Sequence, residues 1–131
     1  MTEPRTVGDF MTPNPVSISE AASLAEAASV LDSRQFSGLP VVDASGILVG
    51  VLSRTDLIRA QASPQLQANW RGLAVAEIMT KPALTIPSTA GLDEAARLMG
   101  ERRVHRLVVT DAAATPIGII SASDLVRSLL G

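Results

Sequence analysis

The 131-residue chain has no cysteine and no tyrosine, and it has a single histidine. Without cysteine there is no disulfide, no thiolate nucleophile and no thiolate metal ligand, and a reducing, cytoplasmic setting is expected. One imidazole, His105, with no partner at triad spacing leaves no nucleophilic constellation. One histidine and scattered carboxylates also lack metal-ligand spacing. Neither a Gly-x-x-x-x-Gly-Lys-Ser/Thr loop nor Gly-x-Gly-x-x-Gly occurs. Catalysis is therefore not expected. Aromatic residues are scarce too: Phe10, Phe36 and Trp70 are the whole set, so the core has to be aliphatic.

Charge of either sign is thin. Eleven basic and thirteen acidic side chains leave a net −2, which offers no basic face for displacing nucleic-acid counterions. No apolar run approaches the roughly 20 residues of a membrane span. The N-terminal MTEPRTVGDF lacks the charged and then apolar regions of a signal peptide. Nucleic acid and membrane are thus not expected partners. A 47% hydrophobic content is nevertheless enough to build a core.

What the chain does have is an internal repeat. Met11-Thr12 superimposes on Met79-Thr80, and the same shift of 68 residues carries Leu24, Glu26, Ala27 and Ala28 onto Leu92, Glu94, Ala95 and Ala96. It also carries Gly50, Ser53, Asp56, Leu57 and Arg59 onto Gly118, Ser121, Asp124, Leu125 and Arg127, without a gap. Such periodicity governs the fold reading.

Each copy reads as β-α-β-β-α. A β-prone segment at 16–18, or 84–86, follows a proline-marked turn. A helix follows, opened in the first copy by a Ser23/Glu26 capping box and in the second by Gly91. Its apolar face is Leu24, Ala27, Ala28 and Leu31, or Leu92, Ala95, Ala96 and Met99. Apolar runs at 39–42 and 47–52, matched by 107–110 and 116–120, form a hairpin across Asp43-Ala-Ser-Gly46. A final helix begins at Ser53 or Ser121 and is expected to carry Leu57 and Ile58, or Leu125 and Val126, inward. The stretch 61–72 reads as a helix end and a connector, with Trp70 packed on the domain. A single copy is small for independent stability. The expected α/β (α+β) architecture is therefore one module over 1–131, with repeat one at about 7–63 and repeat two at about 75–131. The copies would pack with pseudo-twofold symmetry and create two clefts between them.

The recurrent polar motif is Gly50-Val-Leu-Ser53-Arg-Thr-Asp56 with its twin Gly118-Ile-Ile-Ser121-Ala-Ser-Asp124. Ser-x-x-Asp at a helix start is a capping arrangement. The same carboxylate, in the first helical turn beyond a strand, can also accept from both hydroxyls of a ribose diol. The residues leave both roles open.

Together these features resemble the CBS motif: a Met-Thr opening, a capped Leu-x-Glu-Ala-Ala helix, an apolar strand ending in Asp, then Gly, two apolar residues and Ser-x-x-Asp-Leu. Both copies match, over about residues 7–130. The resemblance implies a regulatory CBS pair (a Bateman module) that binds an adenosine compound: AMP, ADP, ATP or S-adenosylmethionine. That compound would be a regulatory ligand, and no cofactor is required. By matching position, Ser53 with Asp56 and Ser121 with Asp124 would hold ribose. Thr12 and Val16, and Thr80 and Leu84, would flank adenine, while Ser37-Gly38 and His105-Arg106 would meet the base through backbone. The run Val104-His105-Arg106-Leu107, with Ser121-Ala-Ser123-Asp124, is similar to the last repeat of the gamma subunit of AMP-activated protein kinase. That likeness implies His105 and Arg106 on phosphate and Ser123 on the sugar. Copy one has no cation there, and Arg54, Arg102 and Arg103 are the candidates to supply one. The implied partners are a second copy of the chain and a regulated enzyme or transporter. One alternative is a ligand-free dimerising scaffold whose Ser-x-x-Asp motifs only cap helices. Another is nucleic-acid binding through Arg102, Arg103 and Arg106.

Overall fold

The computed structural model describes residues 5–130. They form two compact units whose borders cut across the repeats. One, the central unit, is Val16–Ala83; the other, the split unit, joins 5–15 to 84–130. The opening segment of each repeat thus belongs with the body of the other.

In the central unit, β2 (Ile18–Ser19) lies parallel to β3 (Gly38–Val42), and β3 lies antiparallel to β4 (Leu48–Ser53). Helices α2 (Leu24–Arg34), α3 (Arg54–Ala62) and α4 (Pro64–Ala68) complete it. The split unit repeats this order. There β5 (Thr85–Pro87) is parallel to β6 (Arg106–Thr110), and β6 is antiparallel to β7 (Pro116–Ser121). Its helices are α1 (Val7–Phe10), α5 (Leu92–Arg102) and α6 (Ala122–Ser128). It also gains an edge strand, β1 (Thr12–Pro13), antiparallel to β7.

The local causes are plain in α2. Ser23 accepts from the Glu26 amide at 3.1 Å, and Leu24, Ala27 and Leu31 are buried. Only the serine half of the expected capping box forms, because no Glu26 side-chain bond to the Ser23 amide accompanies it. Gln35 and Arg103 end α2 and α5 at the same repeat position, both in the left-handed region. That conformation costs a non-glycine residue roughly 1 kcal/mol.

The hairpin turn forms as its residues predict. Asp43 Oδ1 accepts from the amides of Ser45 and Ile47, at 2.8 and 3.0 Å. The central core is Leu24, Leu31, Leu39, Val41 and Leu52, with Trp70 half-buried against it. The split core is Val7, Ile86, Met99, Leu107, Val109 and Ile120.

Two expectations about helix faces fail. Ile58 and Val126 point outward, 65% and 62% exposed. They sit one position past Leu57 and Leu125, which do turn toward the cores. A helix this short buries only one stripe. Ala96 is exposed as well, although its counterpart Ala28 is half-buried.

One proline leaves a trace in the sheet. In the split unit the Val108 amide donates to the Leu84 carbonyl at 3.1 Å. Its counterpart in the central unit is Pro40, buried in β3, which has no N–H to give. Accordingly β2 has two residues where β5 has three, and the Val16 carbonyl lacks that donor.

Candidate functional site

Within each unit, the Met-Thr segment crosses the strand that leads into the Ser-x-x-Asp helix. In the central unit Val51 and Thr80 exchange backbone hydrogen bonds of 2.9 and 2.8 Å. A Cβ on Gly50 would stand 2.8 Å from the Thr80 carbonyl oxygen and 2.9 Å from Met79 Sδ. Gly118 is covered in the same way by Met11 and the Thr12 carbonyl, with Thr12 opposite Ile119. Glycine at 50 and 118 and Met-Thr at 79–80 and 11–12 are therefore one feature seen from two sides: at Gly50 a backbone oxygen leaves no room for a Cβ, and at Gly118 the Met11 side chain fills that room with the Thr12 carbonyl at 3.1 Å.

That crossing sorts the expected residues. Val16, Ser37, Gly38, Ser53, Asp56 and Thr80 all lie in the central unit. Thr12, Leu84, His105, Arg106, Ser121, Ser123 and Asp124 all lie in the split unit. Each opening threonine therefore sits with the Ser-x-x-Asp of the other repeat.

Both motifs form complete capping boxes. Ser53 Oγ accepts the Asp56 amide at 3.1 Å, and Asp56 Oδ2 accepts the Ser53 amide at 2.9 Å. For Ser121 and Asp124 the two distances are 3.1 and 2.8 Å. The carboxylates are nearly sealed, Asp56 6% and Asp124 5% exposed.

The other oxygen differs between units. Asp56 Oδ1 accepts from the Thr80 hydroxyl at 3.0 Å, with the exposed Arg59 at 4.0 Å. Asp124 Oδ1 is held by the Arg127 guanidinium, and among the described residues no hydroxyl of Thr12 joins it. Arg59 and Arg127 are site residues beyond those expected from the sequence, and they share an Asp-x-x-Arg spacing that recurs in both copies.

The remaining residues surround these carboxylates. Gly38 pairs with Ser53, and Arg106 with Ser121. The Ser37 carbonyl accepts the Arg54 amide at 3.0 Å, and the His105 carbonyl accepts the Ala122 amide at 2.8 Å. The side chains of Ser37, His105, Arg106, Ser123, Thr12 and Thr80 are exposed. Val16 and Leu84 are half-buried against their cores.

Arg54 is not the free cation the sequence allowed. Its guanidinium donates to the carbonyls of Phe36 and Leu31, both at 2.7 Å. Arg102 and Arg103 are exposed in the split unit, at the end of α5. No group of three or more histidines and carboxylates converges as a cation site among the described residues. Nor is any described helix long and apolar enough to cross a membrane.

A duplicated β-α-β-β-α unit, with a glycine under a Met-Thr segment and a buried Ser-x-x-Asp, defines a class of paired small domains. The sequence profile of the CBS domain matches residues 7–63 and 75–131, and the chain belongs to the CBS domain family. It is 33% identical to the chloroplastic CBS domain-containing protein CBSX2 of Arabidopsis thaliana, over 95% of this chain and 63% of that protein. It is 30% identical to inosine-5'-monophosphate dehydrogenase of Nitrosopumilus maritimus, over 92% of this chain and 24% of the enzyme. The chain thus spans less than two thirds of these relatives. Among solved structures, CBSX2 in complex with AMP matches with a TM-score of 0.86 at 36% identity, covering 96% of both chains. The CBS domain pair of protein MJ0100, in complex with 5'-methylthioadenosine and S-adenosylmethionine, matches at 0.82 and 27% identity, covering 98% of both.

Proposed function

We propose that the chain is a regulatory CBS pair that binds adenosine compounds, with a ribose-holding carboxylate in each unit. The observation that carries this reading is the pair of buried, capped carboxylates. One oxygen of each is fixed by backbone, while Oδ1 keeps lone-pair capacity beyond its one hydrogen-bonding side chain. A scaffold role would need the capping alone; it gives no reason for a carboxylate so well buried beside the open residues 37–38 and 105–106. AMP in CBSX2, and 5'-methylthioadenosine with S-adenosylmethionine in MJ0100, support the ligand class.

The two sets differ in charge. Beside Asp124 stand His105 and Arg106, and a guanidinium grips phosphate in bidentate fashion. Beside Asp56 stand Ser37 and Gly38, while Arg54 is committed to carbonyls. The split unit therefore suits a nucleotide such as AMP. The central unit suits an adenosine compound without phosphate, and there the Val16 carbonyl is an available acceptor for the adenine amino group. In the split unit Arg127 shares Asp124 Oδ1; being 61% exposed, it can shift aside at little cost where the sugar needs both lone pairs.

Calorimetry with AMP and with 5'-methylthioadenosine tests this. Asp124→Ala and Arg106→Ala should weaken AMP at least about tenfold, the worth of one charged hydrogen bond. Asp56→Ala should do the same to 5'-methylthioadenosine. Wild-type binding no tighter than about 1 mM for both compounds, or variants that bind like wild type, would overturn the reading.

The response would pass to a second copy or to a regulated enzyme or transporter in the cytoplasm. A CBS pair making up a quarter of a dehydrogenase supports that kind of use. For self-association the supporting observations are the exposed Ile58 on the central unit and, separately, the exposed Val126, Leu129 and Leu130 on the split unit. Sedimentation should give a dimer, and Ile58→Asp with Val126→Asp a monomer.

A further inference from the structure

The repeats end their first helix differently, and the difference leaves a vacancy. In the central unit the Arg54 guanidinium closes the C-terminal end of α2, with Nη2 on the Leu31 carbonyl and Nε on that of Phe36. The 68-residue shift carries Leu31, Phe36 and Arg54 onto Met99, Val104 and Ala122. The split unit therefore has the same pair of carbonyls and no arginine. In its place is an open cavity of about 400 Å³, lined by Met99, Gly100, Arg103, Val104, Ala122 and Leu125 among others.

The lining fits what Arg54 does in the other copy. Leu31 accepts backbone amides from Gln35 and Phe36 and still takes the guanidinium. Met99 likewise accepts from Arg103 and Val104, so it has the same capacity left. Among the described residues no donor meets the Val104 carbonyl. The eleven-residue α5 ends here, and its negative end favours a cation. Met99 and Leu125 offer apolar surface for a short alkyl stem. Gly100, with nothing within 4 Å of an added Cβ, keeps the mouth open where the other copy has Asp32.

We propose that this cavity binds a small alkylguanidinium, in the position that Arg54 fills within the central unit. The planar fork of donors is the selective element, since it holds two N–H groups in one fixed plane as Arg54 does, whereas an ammonium is a compact, strongly hydrated point charge. Arg103 at the rim opposes the ligand by charge. The site shares His105 in its lining with the adenosine reading but uses neither Asp124 nor Arg106, so a protein that fails to bind AMP and still shows the alkylguanidinium shifts would separate the two.

The test is an amide NMR titration of the full chain with n-butylguanidinium, against n-butylammonium at equal charge and length. Saturable shifts at Val104, His105 and Ala122 are expected, with a midpoint of about 1 mM and at least tenfold weaker for the ammonium. Ala122→Arg should abolish them, because its own guanidinium fills the cavity. Arg54→Ala should create a second saturable response at residues 36–38, which keeps the idea testable if Ala122→Arg does not fold. Arg103→Ala should tighten binding severalfold. Wild-type shifts that stay linear, equal responses to the two cations, or an Arg54→Ala protein with no second response would each overturn the proposal.

Discussion

The contact between Thr80 and Asp56 joins the opening of one repeat to the capping box of the other, and its energy can be measured. Asp56→Ala removes the acceptor of the Ser53 amide at 2.9 Å and of the Thr80 hydroxyl at 3.0 Å. Loss of the cap costs about 1 kcal/mol. A hydrogen bond to a buried charge is worth about 1.5–3 kcal/mol, lowered here because Thr80 is exposed and can turn to water. The total for Asp56→Ala is then about 2–4 kcal/mol. Of this, about 1 kcal/mol should appear as coupling between Asp56→Ala and Thr80→Val in a double-mutant cycle. The Asp124/Arg127 pair supplies the contrast. Its guanidinium is 61% exposed, so the same cycle with Arg127→Ala should give at most about 0.5 kcal/mol. Urea midpoints at unchanged slope yield these energies, and Trp70, half-buried on the central core, reports that unit by fluorescence. A Thr80/Asp56 coupling below about 0.3 kcal/mol, the usual limit of additivity, would refute the reasoning.

Two further outcomes are expected. Gly50→Ala drives a Cβ to within 3 Å of the Thr80 carbonyl and Met79. Thermal unfolding should show an overpacking loss of about 1–3 kcal/mol, with a similar loss for Gly118→Ala, whereas Gly46→Ala meets no neighbour and should be limited to its turn strain. Pro40→Val restores a donor opposite the Val16 carbonyl. Hydrogen exchange should find amide 40 protected as amide 108 is, and 5'-methylthioadenosine should bind more weakly; a rapidly exchanging amide 40 would refute the account of the short β2.

The fold was legible where duplication and local chemistry agree. The Ser53 and Ser121 caps, the Asp43 turn and the apolar strands are all short-range signals stated twice in the chain. What the repeat concealed was partnership. Met11-Thr12 and Met79-Thr80 align with each other, and alignment cannot reveal that each serves the glycine of the other copy. Helix facing also escaped: Leu57 and Ile58 are both apolar, and only the packed core decides that Ile58 stays outside. The role of Arg54 was hidden by its exposed position in the sequence pattern, since capping carbonyls 18 and 23 residues away leaves no local spacing to read. For Asp56 and Asp124 the Ser-x-x-Asp spacing made the capping boxes legible, while their burial follows from the packed fold. The neighbouring Arg127 shows in the sequence only as an Asp-x-x-Arg spacing repeated in both copies.

The chain enters the split unit, leaves it at residue 15, builds the whole central unit and returns at residue 84. Mechanically, the central unit is therefore an insertion carried inside the other. Tension applied through handles at residues 5 and 130 is borne first by the contacts of 5–15 with 84–130. Only after these part does the load reach 16–83. The order of rupture under force is thus set by connectivity, with the split unit first even where the central unit has the lower equilibrium stability.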